Sequence, residues 1–384
     1  MASATKRNIP LDVLRGLSIL IMILVDATPD FNEFYPILTH SPWEGITIAD
    51  LAFPGFVFAM GASGGLSILR RRKEGKGGWV RKILRRSLLL FLLGVLLNLL
   101  PDIFSRLLAN GYDNDLLYEN AFLHGRVFGV LQRLALTYLL GMFILLALRG
   151  KASIGLAAVA LLGLSSAGFH LYSPEAPFDK LQNISRAVDL LFPGEGHIYP
   201  FATAPHDPEG LYGTLASTSS MLFGALAGRI LGDRKSEKGR AALLFLVSLA
   251  LLSLGGLWSF VDMVGKPLWT APYALLNGGV DMLALTGISA FLYRAPGVDG
   301  LLRLFCAFGR NPLFFYLATN IALILLWKLP SPLEGLPMYP WLWQSTLRGF
   351  VSPPFSATLY ALLWCVLWYP VAEFLYRKGI VLKL

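Results

Sequence analysis

The chain has 384 residues, 55% of them hydrophobic and 15% charged, with mean hydropathy +0.59 and a formal net charge of +9. Apolar runs of eighteen or more residues recur along it, which excludes a soluble globular protein of this length. The two cysteines, Cys306 and Cys365, fall inside apolar runs and supply neither a disulfide framework nor a CxxC metal pattern.

Apolar runs and breakers predict an all-α polytopic membrane protein, a single transmembrane domain over 1–384. About ten transmembrane helices are expected, near 11–28, 47–69, 87–100, 127–148, 152–172, 213–232, 241–260, 270–293, 304–326 and 356–376. The third run is short and must draw on Leu99–Pro101 or on the basic stretch before it. The first reads as a retained helix, because Asp12 and Arg15 interrupt it and nine more spans follow. The connection from Arg70 to Arg86 carries nine basic residues and marks the cytoplasmic side, which places both termini inside. Inner segments then hold 23 Lys and Arg and outer loops 6. The net charge thus reflects topology, with an integral plasma-membrane location, and not nucleic-acid binding.

Taken in order, Asp12 and Arg15 are three apart and share a helical face, as a self-neutralising pair or with the Arg facing a polar cavity. The stretch HSPWEGITIAD, His40 to Asp50, holds a titratable imidazole, Trp43, Glu44 and Asp50 at the lip of the second span. Charges are costly there and mark function; the plain alternative is an interfacial loop with a snorkelling Asp50. The second span contains Pro54 and the small residues Gly61 to Gly65, which suit close helix packing. Gln132 and Arg133 fall about two turns below the outer surface, so Arg133 must face an internal acid or a water- or ligand-filled pocket.

The long outer loop 173–212 ends in His206, Asp207 and Glu209. With His197 these suggest a metal, but the spacing fits no helix-borne zinc pattern and no metal is expected. The next outer turn carries Lys266 and Trp269, the latter read as an interfacial anchor or a substrate contact. Asp281, and Arg310 with Asn311, lie in the eighth and ninth spans, where the Asp and Arg either pair or serve a ligand.

These pieces together resemble the heparan-α-glucosaminide N-acetyltransferase family of membrane acyltransferases. The resemblance rests on PLDVLRGLSIL at the first span, HxPWxGxTxADL from His40 to Leu51 and GRVFGVLQRLALTY at 125–138. HDPEGLYGTL at 206–215, KPLWTAPY at 266–273 and GRNPL at 309–313 complete it. It implies transfer of an acetyl group from cytosolic acetyl-CoA to an amine or hydroxyl of a sugar or glycan acceptor beyond the membrane. It also implies that His40 is the catalytic residue, and it suggests a homodimer. Two departures stand out: Asp26 where the family often has Asn, and Phe128 where a Pro is common.

The chemistry suits these residues. Histidine titrates near neutrality and can take the acceptor's proton or carry the acetyl group. Asp26 or Asp50 can fix its tautomer. Gln132 or Asn311 can donate to the thioester oxygen, and Arg15, Arg126, Arg133 and Arg310 suit the donor's phosphates. Trp43, Asp207, Glu209, Lys266 and Trp269 are the candidate acceptor contacts. The rival from another class is a secondary transporter or lipid-linked sugar flippase using the buried Asp and Arg residues, although no inverted repeat is visible. Membrane lipid is the remaining expected partner.

Overall fold

The computed structural model describes residues 8–70, 76–108, 125–199, 206–233, 235–294, 300–333 and 335–382. Among them the structure is helical throughout. The longer helices are α1 (Ile9–Asp26), α2 (Ala49–Arg70), α3 (Lys76–Leu108), α4 (Val130–Ala147) and α5 (Lys151–Tyr172). After the short α6 (Ile184–Leu191) come α7 (Thr214–Leu231), α8 (Glu237–Trp258), α9 (Ala271–Arg294), α10 (Gly300–Gly309) and α11 (Pro312–Lys328). The short α12 (Met338–Trp343) and α13 (Pro353–Arg377) complete the bundle.

Every expected span falls on a helix. Seven helices are long and apolar enough to cross a membrane, and an eighth span results if α10 and α11, bent by 80° at Arg310–Asn311, are counted as one. The two expected spans outside that test have physical reasons for it. α1 carries Asp12, Arg15 and Asp26 within 18 residues. α7 carries Thr and Ser along its first turns, yet fifteen of its eighteen residues are buried among other helices. A helix that meets protein on all sides has no lipid to satisfy, so it does not need a lipid-like composition. α3 shows the opposite case: Leu84, Leu88, Leu92 and Leu96, four apart, are all at least half exposed and form one apolar stripe.

Small residues set the closest contacts, as expected for α2. A Cβ on Gly61 or Gly65 would strike the carbonyls of Met221 or Ala225 on α7, and one on Gly224 or Gly228 would strike those of Phe58 or Ala62 on α2. Glycines four apart on both helices therefore let the two backbones touch. Gly16 on α1 and Gly309 on α10 make the same approach, each against the other helix's carbonyls.

Three expectations are corrected. The third span is a 33-residue helix running through Pro101, roughly 50 Å long, so 101–108 is helix and not connection. The long outer loop is built structure over its described parts, 173–199 and 206–212: it forms α6 and buries Asn183, Asp189, His206, Asp207 and Glu209. Asp50 does not snorkel but is fully buried. His124 lies outside the described residues.

Helix ends are tied across two faces. On one, Lys151 pairs with Asp233 and Asn311 binds the carbonyl of Ile380 and the amide of Leu382. This is the face of the basic connection between α2 and α3. On the other, His170 meets Asp262, Arg348 meets Glu33, and the His40 stretch lies across the α8–α9 turn.

Candidate active site

Gly45 has φ +110°, a conformation that glycine adopts without strain, and its amide donates to the Val264 carbonyl at 2.7 Å. This single backbone bridge lays the HSPWEG loop on the α8–α9 turn. It brings Lys266 beside His40 across 226 residues of sequence.

His40 Nδ1 lies 2.8 Å from Asp50 Oδ1. The other Asp50 oxygen accepts from the Ser41 and Thr47 amides, each at 3.1 Å, while the Thr47 hydroxyl gives its proton to the Thr39 carbonyl at 2.7 Å. A carboxylate that already takes two backbone amides is held as an acceptor, so the network assigns the proton to Nδ1 and leaves the Nε2 lone pair available. The imidazole itself is accessible, its side chain 43% exposed.

Lys266 Nζ is 2.9 Å from Nδ1 and 3.0 Å from Nε2. An ammonium on the in-plane lone pair of one ring nitrogen would stand much farther from the other. The near-equal distances therefore put it over the ring, off the Nε2 lone pair. Burial lowers the Lys266 pKa, against the opposing charges of Glu209, Asp50 and Asp26. Its ammonium is 3.7 Å from Asp50 Oδ1.

Beside this group the 206–213 segment is held from two directions. Arg126 makes a two-pronged contact with Asp207 at 2.8 and 2.6 Å and reaches Glu209 at 2.5 Å. Burial alone would lower the Arg126 pKa, but the two carboxylates raise it. Glu209, which burial would push up, is held low chiefly by Arg126 and Lys266. Arg133 donates to the carbonyls of Pro208, Glu209 and Gly210, the last at 2.7 Å, and lies against the Trp269 ring. From below, Asp189 accepts the amides of Asp207 and Leu211, and burial raises its pKa to about 7.

Asp26 ends α1 and accepts from Asn320 of α11 at 3.3 Å. It is not bonded to His40, but it is near enough for its charge to act on His40, Lys266 and Glu209. Tyr316, one turn before Asn320, feels Asp26, Glu209 and Arg126 in turn. These side chains form one polar cluster around His40.

At the opposite face, a cavity of about 620 Å³ is lined by Arg15, Lys82, Arg85, Arg86 and Arg310, with Asn311 and Ser63. Among the described residues no carboxylate side chain lines it. Arg15 both pairs with Asp12 at 2.9 Å and reaches Ser63, so the two readings of that pair coexist. Phe56, Leu134 and Leu313 close its inner end and also line a throat of about 10 Å³, room for about one water. Tyr316 lines that throat and feels the charges of the polar cluster. Cationic cavity, apolar throat and polar cluster thus neighbour one another in that order.

Of the sequence candidates, the structure brings His40, Asp50, Lys266, Asp26 and Glu209 together, with Asp207 just behind. It brings Arg15, Arg310 and Asn311 together in the basic cavity. Arg126 and Arg133 are not there: both organise the 206–213 segment, and Arg133 meets backbone carbonyls where a pocket or a direct acid partner was expected. Gln132 packs against Gly94 of α3 and Gly129. Asp281 and Arg310 do not pair; Arg310 stacks 3.7 Å from the centre of the Tyr376 ring, and one Asp281 oxygen has no partner among the described residues. Trp43 donates to the Phe178 carbonyl and meets the His206 ring edge-on. Trp269 is no interfacial anchor, being 1% exposed and bonded to Ser220. Sequence reading missed Lys82, Arg85 and Arg86 as site residues. Their i, i+3, i+4 spacing on α3 was the available signal, but they were counted only as topology markers.

Residues 7–179 match the family profile described as "Heparan-alpha-glucosaminide N-acetyltransferase, catalytic". The resemblance drawn from the motifs stands. The chain is 26% identical over 427 aligned residues to "Heparan-alpha-glucosaminide N-acetyltransferase" of Homo sapiens, covering 97% of this chain and 59% of that protein. It is 26% identical over 366 residues to the Mus musculus protein of the same name, covering 78% and 53%. The chain therefore spans little more than half the length of the curated relatives it matches. The matched profile takes in the dyad and the α2–α3 cations; Glu209 and Lys266 lie beyond it.

Proposed function

We propose that the chain is a membrane-embedded acyltransferase. It takes acetyl-CoA from the cytoplasm at the basic face and delivers the acetyl group to an amine or hydroxyl of a sugar or glycan at the His40 face, outside the cytoplasm. The observation that carries this reading is the order of cationic cavity, apolar throat and polar cluster, with a His–Asp pair in the last. A long ligand with an anionic head and a neutral arm fits that order of surfaces. The family likeness supports the donor and the acceptor class.

Arg15, Lys82, Arg85, Arg86 and Arg310 hold the donor's phosphates by charge-assisted hydrogen bonds. The throat is too narrow for the pantetheine arm as it stands, so Phe56, Leu134 and Leu313 turn aside when the arm enters. In the polar cluster Asp50 keeps the His40 proton on Nδ1, and the Nε2 lone pair does the chemistry. It removes the acceptor's proton in direct transfer, or takes the acetyl group first; both routes use the same nitrogen. Glu209, Asp26 and Asn320 supply the polar contacts for a sugar amine or hydroxyl. Sidedness rests on the basic connection.

The test is His40→Ala in reconstituted protein, with labelled acetyl-CoA and a panel of amino sugars and cell-envelope glycans. Transfer is expected to vanish while thermal stabilisation by acetyl-CoA persists. Undiminished transfer removes His40 from the mechanism. No saturable stabilisation of the wild type removes the donor. Trapping labelled acetyl-enzyme without acceptor separates the two routes.

A further inference from the structure

Acyl transfer places a negative charge on the carbonyl oxygen as the carbon becomes tetrahedral, and a site needs a fixed donor where that charge grows. The sequence candidates for this task, Gln132 and Asn311, are both elsewhere: one packs against Gly94, the other lies at the basic face beside Ile380 and Leu382. Arg126 and Arg133 are engaged by the 206–213 segment. Among the described residues one cation stands within reach of the His40 imidazole, the Lys266 ammonium, about 3 Å from both ring nitrogens.

We propose that Lys266 is a catalytic residue that stabilises the oxyanion of the tetrahedral intermediate formed beside His40. The inference rests on the acyltransferase reading and deepens it.

Three observations argue for the role. Nζ stands over the ring and leaves the Nε2 lone pair clear, so base and electrophile do not compete for one position. A reacting carbon placed at Nε2 therefore has its oxygen within range of the ammonium. Second, the Lys266 side chain is 14% exposed, so its charge is weakly screened by water and strong where it acts. Third, its position is fixed from outside the reaction: the Gly45–Val264 bridge holds the turn, and Thr270 Oγ1 accepts the neighbouring Gly265 amide at 3.0 Å.

The step balances. The acceptor nitrogen or oxygen forms a bond to the carbonyl carbon, the C=O π pair moves to oxygen, and His40 Nε2 takes the acceptor's proton. The oxyanion sits against Lys266. Its electron pair then reforms C=O, the C–S bond breaks, and the leaving thiolate receives the proton from His40. Lys266 remains an ammonium throughout, and the products are the acetylated acceptor and CoA thiol.

Lys266→Met is expected to lower kcat about 10²–10³-fold with KM for donor and acceptor changed less than about threefold, which marks an interaction made only in the transition state. Lys266→Arg, which keeps the charge, should recover at least tenfold of that loss. A Lys266→Met enzyme with kcat within threefold of wild type overturns the proposal. So does a variant that loses only acceptor affinity, which would make Lys266 a binding contact. The measurement that needs no variant to fold uses wild-type protein and the unreactive ketone analogue acetonyl-CoA labelled with ¹³C at its carbonyl. Its C=O stretch should move to lower frequency on binding, and an unshifted band also overturns the role. Absence of any transfer by the wild type counts instead against the acyltransferase reading.

Discussion

Asp50→Asn isolates what the carboxylate does for His40, because it changes a charge and almost no volume. The outcome follows from counting hydrogen bonds. One carboxylate oxygen accepts from Ser41 N and Thr47 N; the other faces His40 Nδ1. An amide has one oxygen and one NH₂. If its oxygen faces Nδ1, the NH₂ meets two buried backbone N–H groups, and stranding each costs about 1–3 kcal/mol. With the oxygen on the backbone side, only the imidazole must adapt. The second orientation wins, and its NH₂ then donates to Nδ1, which forces the ring proton onto Nε2. The nitrogen that should take the acceptor's proton now carries one of its own. A tautomer error of this kind lowers turnover by up to about 10⁴-fold in other His–Asp enzymes; a loss of roughly 10²–10⁴ is expected here, about 3–5 kcal/mol of barrier. The assay is single-turnover transfer of labelled acetyl to a saturating acceptor, beside a melting curve with and without acetyl-CoA. The protein should melt within a few degrees of wild type and still be stabilised by the donor. Transfer within fivefold of wild type would mean that Asp50 does not set the tautomer.

Leu313→Trp fills the throat from a residue that also borders the basic cavity, so acetyl-CoA should still stabilise the protein while transfer falls below detection; normal transfer would mean that the donor reaches His40 by another path. Replacing Arg85 and Arg86 together with Ala should weaken acetyl-CoA binding at least tenfold, as two charge-assisted contacts of about 1.5–3 kcal/mol each are lost, and calorimetry at two salt concentrations should show a flatter salt dependence; unchanged affinity places the phosphates elsewhere. Asp189 predicts a pH effect on stability. Its folded pKa of about 7 lies above the ordinary value near 3.9, so the folded state binds the extra proton between roughly pH 4 and 7 and stability falls as pH rises through that window. About three pKa units at 1.36 kcal/mol each make this roughly 4 kcal/mol by pH 8. The melting temperature of wild type should drop from pH 5 to pH 8 more steeply than that of Asp189→Asn, and parallel curves would show that Asp189 is not the titrating group.

The helices were legible because lipid and water impose opposite compositions, and the runs and breakers register that boundary directly. α3 was the exception. Its polar first turns and Pro101 look like ends, yet the helix continues through both: Pro101 withholds one backbone donor, from the Leu97 carbonyl, and the turns on either side keep theirs. The site was legible only in part. His40 and Asp50 share one short motif, so their meeting could be read from spacing and the cost of burial. The place of Lys266 could not, because a single bridge between Gly45 and Val264 decides it, and nothing in either segment names the other. Arg126 and Arg133 show the complementary limit. A buried arginine announces that it must be satisfied, but it does not say whether by ligand phosphate, by Asp207 and Glu209, or by the carbonyls of Pro208 to Gly210.

The narrowness of the throat bears on the order of events. A bundle with a cationic cavity on one face and a polar cluster on the other would leak ions if the two were joined by an open polar channel. Ile19, Met22, Phe53, Phe56, Val130 and Leu131 seal the join with side chains alone. These chains are free of polar contacts and can turn aside by changing rotamer. An apolar plug is opened most cheaply by a chain that replaces its contacts, which a neutral pantetheine arm does and a free anion or cation does not. On the proposed reading the five cations at the basic end would hold the anionic head, and the ordering cost of threading the arm would be met by phosphate contacts made at a distance from the reaction. On that reading donor binding and throat opening are one event, and the acceptor meets the polar cluster from the other side. An acceptor alone should leave the throat shut, so the kinetics should show independent acceptor binding but strictly donor-dependent exposure of His40 Nε2 to the basic side.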